Sequence, residues 1–233
     1  MSETLILLPG LLCNFRLWTH QAAFLAPQAE VVVPDLTQDE SLGAMAERVL
    51  ALAPPRFALG GLSMGGYLAM EIMRRAPERV ERLALLCTNA LADPPEQRQR
   101  RLDAIALAST PVGFDQVVAA QAAVLLSPAS AADPAIAGQF RAMAQAVGPE
   151  GFARQQRAIM ARPDSRPGLG AIACPTLVLC GALDTLTPPE LHRTLAEAIS
   201  GARLEIVPES GHLAPIERPD PVSLALSSWL KMT

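Results

Sequence analysis

An α/β domain, with a doubly wound, mostly parallel sheet of about six strands and one helical cap insertion, is the fold class that this sequence predicts. The first observation is a set of short, almost uninterrupted apolar runs: Thr4 to Leu8, Glu30 to Val33, Arg56 to Leu59, Val80 to Cys87, Pro175 to Cys180 and Arg203 to Val207. Strands that are apolar on both faces belong to a parallel sheet covered by helices on each side. The second is alternation, because amphipathic stretches fall between the runs at Leu17 to Ala26, Ser41 to Ala53, Met64 to Ala76, Pro188 to Ile199 and Glu217 to Leu230. The third is one long break in that alternation, from about Leu91 to Gly170, which has no convincing strand.

Helix starts carry local signals. Thr37-Gln38-Asp39-Glu40 and Thr187-Pro188-Pro189-Glu190 both have T-x-x-E capping-box spacing, the second with Pro at the first helical position. The Ala- and Gln-rich break contains helical stretches at Gln97 to Ala108, Gln116 to Leu125, Pro134 to Ala146 and Gly151 to Met160. We therefore divide the chain into a core, residues 1–90 and 171–233, and a cap, residues 91–170, that lies over the carboxyl edge of the sheet. That edge is where open α/β sheets bind their ligands.

Bulk properties exclude several function classes. The 233 residues are 50% hydrophobic and 18% charged, enough for one sizeable core. A net charge of -4 supplies no basic stripe for nucleic acid. Cys13, Cys87, Cys174 and Cys180 show no C-x-x-C spacing, and neither a Cys cluster nor H-x-x-x-H suggests a metal. No phosphate-cradling loop is present, so no cofactor is expected. Met1-Ser2-Glu3-Thr4 lacks the basic region of a signal peptide, and no stretch approaches the length of a membrane span. These features lead us to expect a cytoplasmic protein acting on a small molecule.

The chemistry centres on Gly61-Leu62-Ser63-Met64-Gly65, placed between an apolar run and a helix-like stretch. Such a strand, sharp turn and helix make a nucleophile elbow, in which a Cβ at either flanking glycine would collide with a neighbouring segment. A serine hydroxyl needs a base, and the base needs an orienting acid. Of the three histidines, His20 and His192 fall inside amphipathic helices. His212, in Ser210-Gly211-His212-Leu213, follows a strand and belongs at the same edge as Ser63. Asp184, in Gly181-Ala182-Leu183-Asp184, and Asp35, in Pro34-Asp35-Leu36, both follow strands. The order Ser, acid, His favours Asp184.

On these residues the chain resembles the α/β-hydrolase family. The likeness is carried by Gly61-Leu62-Ser63-Met64-Gly65-Gly66, by Gly181-Ala182-Leu183-Asp184 with the Thr187-Pro188 helix start, and by Gly211-His212 followed by Glu217-Arg218-Pro219. It covers nearly the whole chain and is weakest in the insertion. The resemblance implies that Ser63 attacks an acyl carbonyl, that His212 carries the proton and that Asp184 orients the imidazole. It also assigns an oxyanion hole to the backbone N–H groups of Leu11 and Met64. Where many members carry His-Gly before the oxyanion residue, this chain has Pro9-Gly10. It also starts at what resembles the family's third strand, so six strands rather than eight are expected. A Ser at the elbow, where dehalogenases and epoxide hydrolases of this fold carry Asp, points to acyl transfer.

The function expected is hydrolysis of a carboxylic ester with a small or medium, largely apolar acyl group, in a pocket lined by Leu11, Leu12, Met64 and cap residues. A thioesterase or carbon–carbon bond hydrolase would use the same triad. A ligand-binding or signalling module with little turnover is the alternative from a different class.

Overall fold

The computed structural model describes residues 3–232, so Met1 and Ser2, part of the amino-terminal segment considered above, lie outside the described residues. Six strands form one sheet: β1 (Glu3–Leu8), β2 (Ala29–Val32), β3 (Phe57–Leu62), β4 (Val80–Leu86), β5 (Thr176–Gly181) and β6 (Arg203–Val207), in the order β2-β1-β3-β4-β5-β6. Every neighbouring pair is parallel.

The apolar runs are explained by what covers each face. Successive side chains point to opposite sides of a strand. Leu5 and Leu7 of β1 therefore enter one apolar cluster, and Ile6 and Leu8 the other. The same split separates Ala84 and Leu86 from Leu83 and Leu85 in β4. One cluster is closed by α1 (Thr19–Leu25) and by α10 (Pro219–Trp229), through Leu25, Val222, Leu226 and Trp229. The other is closed by α2 (Leu42–Leu52), α3 (Met64–Arg75) and α8 (Pro189–Glu197), through Met45, Val49, Leu68, Ile72 and Leu195.

Between β4 and β5 the chain forms α4 (Pro95–Ala108), α5 (Gly113–Leu125), α6 (Pro128–Ala132) and α7 (Pro134–Met160), with no strand among the described residues there. Helix α7 is two helices joined at Gly148, whose φ of 70° and ψ of 171° break the spiral just before Pro149. Phe114 and Val117 of α5 and Phe140, Met143 and Phe152 of α7 join the α1/α10 cluster, which ties this segment to the sheet.

Three local expectations are corrected. Ser41, not Thr37, caps α2, its Oγ accepting the Ala44 N–H at 3.1 Å. Helix α8 starts one residue beyond expectation and has no side-chain cap, because the Thr187 hydroxyl is used elsewhere. The helix expected from Glu217 is two pieces, α9 (Ala214–Glu217) and then α10, with Arg218 in non-helical geometry immediately before Pro219.

Parallel pairing sets the strand ends level. Leu8 is in register with Gly61, Leu62 with Leu86, and Gly181 with Val207. The loops after β1, β3, β5 and β6, which hold Leu11, Ser63, Asp184 and His212, therefore leave the sheet along one edge.

Candidate active site

Ser63 links β3 directly to α3, with φ of 56° and ψ of -113°, a conformation that costs a non-glycine residue about 1–3 kcal/mol. The surroundings enforce it. A Cβ at Gly61 would lie 2.2 Å from the Gly65 carbonyl oxygen, and one at Gly65 would lie 2.2 Å from that of Leu8. The Ser63 N–H donates to the Leu86 carbonyl at 2.9 Å, and its own carbonyl accepts from the Gly66 and Tyr67 N–H groups and from the Thr88 hydroxyl. The backbone of the elbow is thus held on both sides, and the side chain is left facing a cleft.

His212 and Asp184 are brought together from loops after different strands. His212 Nδ1 donates to Asp184 Oδ2 at 2.8 Å, with both side chains buried. The same carboxylate accepts the Thr187 hydroxyl at 2.7 Å, and through Oδ1 the Leu186 and Thr187 N–H groups at 3.0 and 2.9 Å. Burial alone would raise the Asp184 pKa. The charge of His212, its hydrogen bond and those of Thr187 outweigh burial and hold the carboxyl below its usual range. Asp35, the other acid considered, lies in a separate turn, where it accepts from the Thr37 N–H and the Gln38 amide.

With Nδ1 committed to a carboxylate, the open nitrogen of His212 is Nε2. That atom is buried and without a hydrogen-bond partner. His212 and Ser63 line the same cleft, with no direct hydrogen bond between them. The histidine loop is fixed from two directions. The His212 N–H donates to the Leu125 carbonyl at the end of α5 at 2.9 Å. The buried Glu217 carboxylate accepts three backbone N–H groups, those of Gly211, Leu213 and Ser127, at 3.0, 3.0 and 2.9 Å.

The residues expected around Ser63 separate. Leu11 lines the cleft. Among the described residues, neither its N–H nor that of Met64 meets a protein acceptor. The Met64 side chain, expected in the pocket lining, is instead buried in the cluster beneath α2 and α3. Leu12 also departs from expectation. It adopts a φ of 59°, its N–H donates to Gln155 Oε1 at 3.0 Å, and its side chain is packed in the opposite core cluster rather than the cleft.

The cleft, about 230 Å³, has apolar residues in its lining, Leu11, Leu62, Val124, Leu125, Leu186 and Leu213. The polar residues of the same lining have no counterpart in the sequence reading: Asn89, Gln97, Arg100, Arg101, Gln121 and Gln156. Only the i, i+3, i+4, i+7 spacing of Gln97, Arg100, Arg101 and Ala104 on α4 could have signalled a shared face. His192, which the sequence places inside an amphipathic helix, is fully buried. Its Nε2 accepts the Thr88 N–H at 2.9 Å, behind the elbow. Burial pushes its pKa down to about 4, against a smaller opposing pull from its bond to the Pro188 carbonyl. Among the described residues, no group of three His, Cys, Asp or Glu is placed to hold a metal ion, and no helix is long and apolar enough to cross a membrane.

Known proteins resemble this chain along most of their length. The chain is 29% identical over 240 residues to a pimeloyl-[acyl-carrier protein] methyl ester esterase of Pectobacterium carotovorum, with 94% of this chain and 91% of that protein covered. A thermophilic esterase of Thermogutta terrifontis superposes with a TM-score of 0.91 at 30% identity, covering 99% of this chain and 91% of the other. The enol-lactonase of Burkholderia xenovorans superposes with a TM-score of 0.88 at 26% identity, covering 100% and 92%. The profile of the alpha/beta hydrolase fold matches residues 3–219. With that match spanning nearly all of the chain, and hydrolases as its structural neighbours, this protein belongs to the alpha/beta hydrolase family.

Proposed function

We propose that the protein hydrolyses a carboxylic ester of small or medium size through an acyl-enzyme on Ser63. One observation carries the reading: the imidazole of His212 is locked through Nδ1 to a buried carboxylate, leaving Nε2 as an unpartnered base in the cleft that holds Ser63. In the proposed sequence, the Ser63 hydroxyl proton passes to Nε2 as Oγ bonds to the acyl carbon. Asp184 stabilises the imidazolium without taking its proton. The carbonyl oxygen becomes an oxyanion facing the free N–H groups of Leu11 and Met64, each such donor contributing about 3–4 kcal/mol to the transition state. Collapse expels the alcohol, which takes the proton from Nε2. Water then repeats the sequence and releases the acid.

The apolar lining residues of the cleft suit an acyl chain, and the helical segment between β4 and β5 serves as a cap over it. Ester cleavage is favoured over thioester or carbon–carbon cleavage by the esterase and lactonase neighbours. The test is burst-phase hydrolysis of a short-chain p-nitrophenyl ester, with mass detection of a fluorophosphonate adduct. Turnover and an adduct on Ser63, both lost in Ser63→Ala, are expected. Folded protein that gives neither would overturn the proposal.

A further inference from the structure

The polar residues of the cleft lining carry an unbalanced positive charge. Gln97, Arg100, Arg101 and Ala104 occupy one stripe of α4, and that stripe faces the cleft. The cleft lining contains two guanidinium groups and no carboxylate. Arg101 does have an acidic partner: its Nε donates to Asp93 at 2.6 Å, and its Nη1 donates to Gln156 Oε1 at 2.7 Å. Asp93, however, is fully buried and shared with Arg162, which approaches its other oxygen at 2.7 Å. One carboxylate therefore serves two arginines, and a positive charge is left over.

Arg100 adds a second. Among the described residues it forms no ion pair, even with Glu96 one turn before it. Gln156 turns its carbonyl oxygen to Arg101, which leaves its amide N–H groups, among the described residues, without a protein acceptor, while the Gln97 and Gln121 side chains are unpartnered there and can donate or accept. Unbalanced positive charge in a lining that also has apolar residues suits an amphipathic anion, and guanidinium groups are matched in geometry to carboxylates.

Building on the ester-hydrolase reading, we propose that the substrate is an ester that carries a free carboxylate several bonds from the scissile carbonyl, with Arg100 and the Arg101–Gln156 pair binding that carboxylate. The apolar lining residues then take the intervening methylenes, and the anion orients the chain so that its carbonyl meets Ser63.

The test compares mono-p-nitrophenyl glutarate with its methyl ester, which differs by the lost charge and one methyl group. In the wild type, kcat/KM is expected to favour the half-ester by about tenfold at low salt, the size of a single partly exposed charge-assisted contact, and the ratio should shrink as the Debye length falls. Arg100→Gln should lower the ratio severalfold, with Arg101 and Gln156 carrying the remainder, and Arg100→Lys should restore part of it. A wild-type ratio of one or less, or one that neither salt nor Arg100→Gln alters, overturns the proposal. Calorimetric binding of both compounds to Ser63→Ala separates this idea from the hydrolytic one. If the wild type cleaves neither ester, the hydrolytic reading falls. The binding comparison then decides: tighter binding of the half-ester, sensitive to Arg100→Gln, supports the anion site, and equal or undetectable binding refutes it.

Discussion

Replacing Glu217 by Gln keeps the shape of the side chain and removes one charge and one acceptor from the junction between the histidine loop and the helical segment. In the wild type, Oε2 accepts the Ser127 and Gly211 N–H groups, and Oε1 accepts that of Leu213. Gln can turn its single oxygen to the first two donors, but its NH2 group then faces the Leu213 N–H. Two bonds lose their charge assistance, about 1 kcal/mol each, and one buried N–H is left unsatisfied, about 1–3 kcal/mol. Relief of carboxylate desolvation returns part of this. The net expectation is a loss of about 2–4 kcal/mol, or a drop of roughly 4–16 °C in Tm for a chain of this size. Because the same carboxylate holds Gly211 and Leu213 on either side of His212, kcat on a p-nitrophenyl ester should fall about 10–100-fold, with KM much less affected. Thermal and urea unfolding with steady-state kinetics measure both. A variant within about 2 °C and twofold of wild type would refute the idea that this carboxylate positions the histidine.

Other substitutions probe the elbow, the acid and the buried histidine. Ser63→Gly and Ser63→Ala should both be inactive, but the glycine variant, freed from the strain of φ 56°, should melt higher than the alanine variant by roughly 2–4 °C, about 1 kcal/mol; equal melting would deny the strain. Asp184→Asn should lower kcat by about 10⁴-fold with the fold intact by circular dichroism, because the imidazole loses its tautomer lock; a loss under tenfold would contradict that role. His192 is held neutral down to about pH 4, whereas the unfolded chain binds that proton near pH 6.5. Stability should therefore fall as pH drops from about 6.5 to 4, by roughly 3 kcal/mol from this group, with no contribution to the slope above 6.5. Urea midpoints of His192→Gln should accordingly be less sensitive over that window, and parallel pH profiles would refute the assignment.

Features built from local rules are legible in the order of the amino acids. The strands can be read there because both faces of a central parallel strand are buried, so the apolar runs are nearly continuous: Leu5 to Leu8 are all buried, and so are Leu83 to Leu86. The edge strands β2 and β6 are the weakest of these, each with one buried residue, Ala29 and Val207. The elbow is legible because its glycines answer to contacts a few residues away in sequence or on the adjacent strand. The break between the two halves of α7 is foreshadowed by Gly148-Pro149, which cannot continue a helix without disturbance.

Capping-box spacing is a poorer guide. At Thr187 the hydroxyl has a stronger acceptor in the ionised Asp184 than in any cap, and the T-x-x-E pattern does not register that competition. Glu217 has the same character, for it looks like an ordinary first-turn acid until Ser127 is brought to it from 90 positions away. Leu12 belongs to the cleft by its nearness to Leu11, yet a positive φ and a bond to Gln155, 143 positions away, turn it into the core.

The sequence by itself determined the sheet, its parallel sense, the strained serine turn and the set of residues with suitable chemistry, because periodicity, burial and steric exclusion act over a few residues. Tertiary structure alone decided which of those residues meet. It joined Asp184 to His212 across two loops, sent Leu12 and the Met64 side chain into the core, and turned a polar stripe of α4 with Arg100 and Arg101 toward the cleft that holds Ser63. Such meetings depend on how helices pack onto the strand ends, and the side chains that will face each other are separated by most of the chain.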